Sequence, residues 1–322
     1  MKKILVTGAG SLLGQGIIKT TLSLKKKIKI IGTDYFKDAI GFNWINNSYL
    51  LPDILKKKNI KSWEKKLLRI IKNEKISYLI PGLDFELERI LKIKKKIEEK
   101  TSCKVIISNE KTIKTFQDKW LTYKFLQKNN FLYPKTTLPN NLKKFLKENK
   151  FPLIVKPRKG HTSKNVFLVK NKFELKIAIK KSKNPLIQEY LFKNNNEYTC
   201  GSIFSNNKVI SVITLNRKLK NGNTIKTTHL KNKNFIKINN YIKNITNFIK
   251  PLGPLNFQLC LTSRGPIIFE VNPRFSGTTP LRCMYGVNEI DILINDLEQK
   301  PQKKNKLKYG IIMRYFENLF LK

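Results

Sequence analysis

The chain of 322 residues is short of the residues that carry zinc and redox chemistry, with two histidines and four cysteines. The cysteines (Cys103, Cys200, Cys260 and Cys283) are scattered, with no Cys-x-x-Cys pair. With only His161 and His229 as partners, no zinc site is expected and free thiols are the default. No Gly-Lys dipeptide occurs anywhere, which excludes a Walker-type P-loop. Long apolar runs are missing too. Met1-Lys2-Lys3-Ile4-Leu5-Val6 looks briefly like a signal peptide but ends at once in Thr7-Gly8-Ala9-Gly10. That run is too short for a signal h-region or a membrane span, so no span is expected and the expected location is the cytoplasm.

Acidic residues are also scarce: 22 against 65 Lys and Arg, a net charge of +43. A field of that sign gathers polyanions, so nucleic acid or an anionic membrane is one reading. The lysines are spread over nearly every predicted helix surface and loop, however, and form no single stripe interleaved with stacking aromatics. A chain-wide bias toward Lys, Ile and Asn explains that spread. Nucleic acid is therefore not the expected partner, and an anionic small molecule such as ATP suits the charge at least as well.

The length suffices for about two domains, each burying its own core. The first third alternates apolar runs at Lys3–Val6, Ile28–Gly32, Tyr78–Pro81 and Val105–Ser108 with helical patterns at Gly14–Leu24 and Trp63–Asn73. Strands separated by helices imply a parallel, doubly wound sheet with its ligand crevice at the C-terminal strand ends. Gly8–Gly14, Asp34 and Asp84 should meet there. One helix is predicted from about Thr112 to Lys128, ahead of Phe131-Leu132-Tyr133-Pro134. After it the grammar becomes α+β: strands at Phe151–Arg158, Asn165–Lys170 and Leu186–Leu191, and a helix at Lys172–Lys181. Two hairpins follow. Tyr198–Phe204 and Val209–Leu215 are joined at 205–208, and Leu255–Leu261 and Pro266–Asn272 are joined by Ser263-Arg264-Gly265. The patch Lys231–Asn234 reads as a solvated loop.

The last hairpin carries the most chemistry. A three-residue loop with glycine third is a favoured turn, and Gly265 suits its left-handed position. That loop sets Gln258 opposite Glu270 and Asn256 opposite Asn272. Alternation then brings Gln258, Glu270 and Asn272 to one face, while Phe257, Leu259, Phe269 and Val271 enter the core. Oxygen ligands without Cys or His suit a hard cation, Mg²⁺, shared with phosphates. Arg274 has the parity to clamp phosphate. The bland reading is the polar face of an ordinary hairpin. A second cluster is Leu153-Ile154-Val155-Lys156-Pro157-Arg158, followed by Lys159-Gly160-His161-Thr162-Ser163. Lys156 and Arg158 share a strand face, and the loop with Ser163 can offer backbone N–H groups to phosphate. Alone it is weak, because lysine is everywhere. In the third cluster, Leu186-Ile187-Gln188-Glu189-Tyr190-Leu191 is an extended segment able to bond adenine through its backbone. Nearby Glu197 can take ribose hydroxyls; a strand with a solvated glutamate is the ordinary alternative.

In this order the clusters resemble the ATP-grasp superfamily, and in particular single-module relatives of the carbamoyl-phosphate synthase large subunit. The resemblance implies an α/β Rossmann-like pre-ATP-grasp domain over 1–111, then an α+β ATP-grasp domain over 112–322. The latter would divide into a nucleotide-gripping part at about 112–191 and a metal-binding part at about 192–322. It implies that Lys119 and Lys156 contact phosphates, that Glu189 and Leu191 bond adenine through their backbone beside Tyr190, and that Glu197 binds ribose. Glu270, Asn272 and Gln258 would hold Mg²⁺, one ion or two, with Mn²⁺ able to substitute, and Arg274 would stabilise the transferring phosphate. The implied chemistry is ATP plus a carboxylate giving an acyl phosphate, which an amine or related nucleophile attacks. Gly10, Ser11 and Asp84 are then candidates for the substrate side. Arg217 and Lys218 can bind a substrate carboxylate or the acyl phosphate; equally, they are two more surface cations. The loop after Arg158 has less glycine than the family pattern, which leaves the shape of that lid open.

Two rival readings remain. Thr7-Gly8-Ala9-Gly10-Ser11-Leu12-Leu13-Gly14, with Asp34 after the second strand, suggests an NAD(P)-dependent short-chain dehydrogenase or epimerase. The third glycine is one position late, however, and no Tyr-x-x-x-Lys pair exists. The other rival is a basic nucleic-acid-binding protein that kept the fold. A homodimer is a fair expectation for an enzyme of this kind.

Overall fold

The computed structural model describes residues 1–24, 27–45, 47–160, 165–192, 196–302, 306–315 and 317–319. Its first sheet contains β1 (Lys2–Thr7), β2 (Ile28–Asp34), β3 (Asn47–Leu50), β4 (Tyr78–Ile80) and β5 (Lys104–Val105). All pairings are parallel and the order is β3-β2-β1-β4-β5. β1 shows why the sheet is covered on both sides. Leu5 enters one core with Trp63, Leu67 and Ile90 of two flanking helices, and Ile4 and Val6 enter the other. Apolar residues on both faces are what a buried parallel strand requires. The second of these cores does not stop at residue 111, because it takes in Phe275, Ile290, Leu293 and Ile294 from the C-terminal part.

The single helix predicted over Thr112–Lys128 is two, Glu110–Phe116 and Lys119–Lys128. Asp118 causes the break. Its backbone is extended and its carboxylate accepts from the N–H groups of Trp120 and Leu121 at 2.9 and 3.3 Å, capping a new helix. Lys119 becomes the first residue of that helix.

A four-stranded antiparallel sheet follows, with β6 (Thr136–Thr137), β7 (Leu153–Pro157), β8 (Phe167–Val169) and β9 (Pro185–Glu189) in the order β6-β9-β7-β8. The remaining strands form a six-stranded antiparallel sheet: β10 (Glu197–Ser205), β11 (Lys208–Lys220), β12 (Asn223–His229), β13 (Gly253–Thr262), β14 (Gly265–Asn272) and β15 (Gly310–Met313). The turn between β10 and β11 is two residues, not four. Asn206 and Asn207 both have positive φ, the geometry that matches strand twist in the tightest hairpins. The patch Lys231–Asn234, expected as loop, holds the cap Asn232 and the first turn of helix Lys233–Ile249. That helix buries Phe235, Ile238, Ile242 and Ile245 against one face of the sheet, leaving the other face for chemistry.

The last hairpin reaches the predicted pairing by a different route. Thr262 pairs with Gly265, so the turn is Ser263-Arg264 alone, one residue shorter than expected. A bulge at Phe269 of β14, opposite the Gln258–Leu259 step of β13, leaves Phe269 unpaired and restores the offset. Gln258 therefore does lie opposite Glu270, and Asn256 opposite Asn272. The bulge also corrects the expected facing of one residue. Phe257, Leu259 and Val271 enter the core under the helix, but Phe269 turns to the open face with Cys260 and Ile267.

Candidate active site

The walls of one cavity of about 480 Å³ come from both antiparallel sheets and, through Leu12, Leu13 and Asp84, from the N-terminal region. Alternation along β7 sends Leu153 and Val155 into a core and Lys156 into this cavity, where its side chain is almost wholly buried. The Lys156 ammonium donates to Gln188 Oε1 at 2.9 Å, and Gln188 Nε2 donates to Thr136 Oγ1 at 2.9 Å. It also lies 5.5 Å from the centre of the Phe269 ring. Burial, and after it the charge of Lys119, pushes the Lys156 pKa down to about 7, against the pull of Glu270. Lys119 opens its helix, where a positive charge opposes the helix dipole, so the helix gains nothing from it there. Its Nζ donates to the carbonyl of Gly160 at 3.1 Å, which leaves two protons of the ammonium for another acceptor.

Glu270 faces these two lysines. Burial pushes its carboxyl up, but the fields of Lys119 and Lys156 and the amide of Asn272 outweigh that, and the pKa is lowered overall. Asn272 Nδ2 donates to Glu270 Oε1 at 3.1 Å. The carboxylate of Glu270 and the carbonyl oxygen of Asn272 thus stand on one face beside two cations. The third expected ligand sits differently. Gln258 Oε1, the atom a metal would need, accepts from Arg217 at 2.9 Å. Arg217 is buried and also donates to Glu197 through Nε at 2.8 Å and through Nη2. Glu197, expected at ribose hydroxyls, is in the cavity wall, but one of its oxygens is held by that arginine. Lys218 is exposed on the neighbouring position.

Arg274 and Asp84, assigned separately to phosphate and substrate, form a two-point ion pair: Nε–Oδ1 at 2.7 Å and Nη2–Oδ2 at 3.0 Å. This pair joins the loop after β14 to the N-terminal region, and Gln117, in the break between helices Glu110–Phe116 and Lys119–Lys128, donates to the Asp84 carbonyl. Arg274 Nη2 also donates to Asn272 Oδ1 at 3.3 Å. The chain Glu270–Asn272–Arg274–Asp84 is therefore one connected polar row.

Of the other sequence-predicted residues, only Tyr190 is in the cavity wall among those described. Arg158, expected at the phosphates, instead grips Asp118, with Nη2 2.7 Å from Oδ2. The Arg158–Asp118 pair fixes the end of β7 to the start of the helix bearing Lys119. Ser163 and His161 lie outside the described residues. The Glu189 side chain accepts from the backbone N–H of Lys135 at 2.7 Å and pairs with Arg264, while Tyr190 lines the cavity and Leu191 is buried behind it. Gly10 and Ser11 tie their turn to the ends of neighbouring strands. Gly10 N–H donates to Asp34 Oδ2 at 2.8 Å, and Ser11 Oγ accepts from Gly14 N–H and donates to the Gly82 carbonyl.

The residues that sequence reasoning missed lie underneath. Arg282 and Glu289 form a fully buried ion pair at 3.0 Å, and Arg282 donates to Asn256 Oδ1, which also accepts from Thr199. Gly201 makes room for it: a Cβ there would fall 2.0 Å from Glu289 Oε1. That glycine in mid-strand was the one available signal. Among the described residues no group of three His, Cys, Asp or Glu is placed to hold a metal. Glu270 and Asn272 offer a hard cation a share of its ligands, with phosphate oxygens completing the set. No helix is long and apolar enough to cross a membrane among the described residues, and all four cysteines are free.

A family model described as an ATP-grasp domain matches residues 116–278, half of the chain. A D-alanine–D-alanine ligase of Petrotoga mobilis is 39% identical over 88 residues, 26% of this chain and 28% of its own. An uncharacterized protein of Mycoplasma genitalium is 36% identical over 110 residues, 34% of this chain and 35% of its own. The chain thus spans about a third or less of the length of these curated relatives. Among solved structures, N5-carboxyaminoimidazole synthetase from Staphylococcus aureus, complexed with ADP, superposes with a TM-score of 0.76 at 15% identity, covering 98% of this chain and 82% of that one. The biotin carboxylase domain of the 2-oxoglutarate carboxylase of Hydrogenobacter thermophilus, in complex with MgADP and bicarbonate, gives 0.73 at 14% identity, covering 96% and 73%. These likenesses concern the fold, an α/β sheet followed by two antiparallel sheets that flank a cavity. The chain belongs to the ATP-grasp family.

Proposed function

We propose that the protein is an ATP-dependent carboxylate–amine ligase that works through an acyl phosphate. The observation that carries this reading is the convergence of Lys119, Lys156, Glu270 and Asn272 on one cavity, with a half-buried carboxylate whose pKa two cations lower. In this reading Lys119 and Lys156 hold the phosphates of ATP, and Tyr190 lies beside the adenine. Adenine presents a donor amine next to a ring acceptor. In an extended segment the C=O of one residue and the N–H of the residue two further on point the same way, so Glu189 and Leu191 complement that edge. A magnesium ion bound at Glu270 and Asn272 would offset phosphate charge during transfer. Gln258 would join that set only if Arg217 released it.

A substrate carboxylate oxygen attacks the γ-phosphorus, and the bond to the β-phosphate bridging oxygen breaks, releasing ADP. The amine then attacks the acyl carbon, loses a proton and expels phosphate. Arg274, next to Asn272 in the row from Glu270, would meet the transferring group once Asp84 released it. The small-molecule carboxylate and amine, the division near residue 111 and any dimer rest on the same reading. The dehydrogenase alternative gains nothing from the first turn, since the Asp34 carboxylate expected at a ribose caps Gly10 and Phe36 instead.

The test is ADP release over a matrix of carboxylates and amines, with Glu270→Ala beside the parent protein. At least one pair should give ADP that depends on both substrates and on Glu270, and MgADP should raise the melting temperature. Absence of both effects sinks the proposal.

A further inference from the structure

Among the described residues, one arginine of the cavity wall has no carboxylate against it. Of the chain's eight arginines, five sit against carboxylates: Arg158 with Asp118, Arg217 with Glu197, Arg264 with Glu189, Arg274 with Asp84, and Arg282 with Glu289. Arg314 also lines the cavity, yet among the described residues its only polar side-chain contact is the carbonyl of Gly277. Its backbone is fixed, because its N–H donates to the Ile225 carbonyl at 2.8 Å and continues the pairing of β15 with β12. A guanidinium has five N–H donors, so most of this fork is left for a ligand. Leaving it half-buried without an anion is costly, and burial alone pushes its pKa down.

The surroundings say which ligand. Gly277 packs on Leu12 at the start of the first helix, where an added Cβ would come within 3.0 Å of the leucine side chain. The hydroxyls of Ser276 and Thr278, 2.7 Å apart, stand on the same loop. These neighbours belong to the N-terminal region and to the loop after Arg274, not to the strands that carry Lys156 and Gln188. We propose that Arg314 anchors a carboxylate on the acceptor substrate, the molecule that supplies the amine, at the cavity end formed by Leu12, Gly277 and Thr278. The assignment rests on the ligase reading above. A planar fork matches a carboxylate through two parallel bonds, and one unpaired arginine balances one negative charge.

The probes are the common amino acids in both hands, each as free acid and as amide, together with phosphoethanolamine, scored by ADP release with saturating MgATP and a carboxylate panel. At least one free acid should stimulate ADP release, and its amide should not. Arg314→Gln should raise KM for that acid about 30-fold, the loss of one charged two-point contact. MgADP affinity should stay unchanged, and Arg314→Lys should recover part of the loss. Equal stimulation by acid and amide, stimulation by phosphoethanolamine alone, or an unaltered KM in Arg314→Gln overturns the anchor. So does silence from every free acid while the protein still binds MgADP. If the parent protein neither binds MgADP nor gives Glu270-dependent turnover, the ligase reading itself fails.

Discussion

Nucleotide binding to this protein should be linked to a single proton on Lys156. In the free protein burial and the charge of Lys119 bring this ammonium down to about 7, so at pH 8.5 only about 3% of it is charged. Phosphate oxygens placed against Lys156 Nζ favour the charged form and raise the pKa again. Binding therefore takes up a proton at any pH between the two values. The sign follows: affinity for MgADP falls as pH rises from 7, approaching tenfold per unit. From pH 7 to pH 8.5 the loss is about 15-fold, provided the value in the complex lies above roughly 9.5. The nucleotide does not confound this window, since a terminal phosphate has lost its second proton near pH 6. The assay is calorimetric titration of MgADP at pH 8 in two buffers of different ionisation enthalpy, which should count about 0.9 protons taken up per nucleotide. Lys156→Met should bind more weakly at pH 7 and show neither the slope nor the uptake. A flat affinity in the parent protein, or the same slope in Lys156→Met, would falsify the reasoning. The same lysine acts on stability. Between pH 7 and the unfolded lysine value near 10.4 the unfolded chain holds this proton and the folded chain does not, so the stability of the ligand-free protein rises with pH there.

Two further outcomes follow from the pairs around the site. Glu289→Gln leaves Arg282 buried without its counter-charge and should cost about 3–5 kcal/mol in denaturant unfolding, whereas the double change Arg282→Met with Glu289→Leu should regain most of it. Asp118→Ala removes both the cap of the helix at Lys119 and the partner of Arg158, and should cost about 2 kcal/mol and weaken MgADP binding. Asp118→Asn keeps the cap and should cost under about 1 kcal/mol by the same measurement.

The elements legible in the sequence were those whose signal is local. The parallel sheet came through the alternation of short apolar runs with helices, and helix Lys172–Lys181 came out to the residue. The facing of Gln258, Glu270 and Asn272 was legible because strand parity fixes it once the offset is known. The offset was right although the turn is a residue shorter than expected, since the bulge at Phe269 adds back what the turn removes. A bulge has no reliable sequence mark, and it is the bulge that turns Phe269 from the core to the cavity, over Lys156. The break at Asp118 was missed because a capping aspartate inside an amphipathic pattern reads as one more polar helix residue. Pairings such as Arg274 with Asp84, 190 residues apart, leave no local trace. Each residue of that pair was given a ligand of its own when they hold one another.

Those pairings change how the charge of the chain is to be read. Lysine is so frequent here that its position carries little information, as the exposed Lys218 beside the buried Arg217 illustrates. Acids and arginines are rare, and they are where the geometry is demanding. Asp118, Glu189, Glu197, Asp84 and Glu289 each meet an arginine in or around the cavity, and Glu270 alone among the site's acids faces lysines instead. A rigid fork that matches a carboxylate at two points makes a fixed frame, while an ammonium is a mobile point charge that can follow a phosphate as it transfers. The division of labour is thus written in the choice of cation: arginine–carboxylate pairs hold the walls, and Lys119 and Lys156 with Glu270 are left as the groups free to respond to a nucleotide. Net charge, which pointed toward polyanions in general, has little to do with that frame, because the frame pairs most of its own charges.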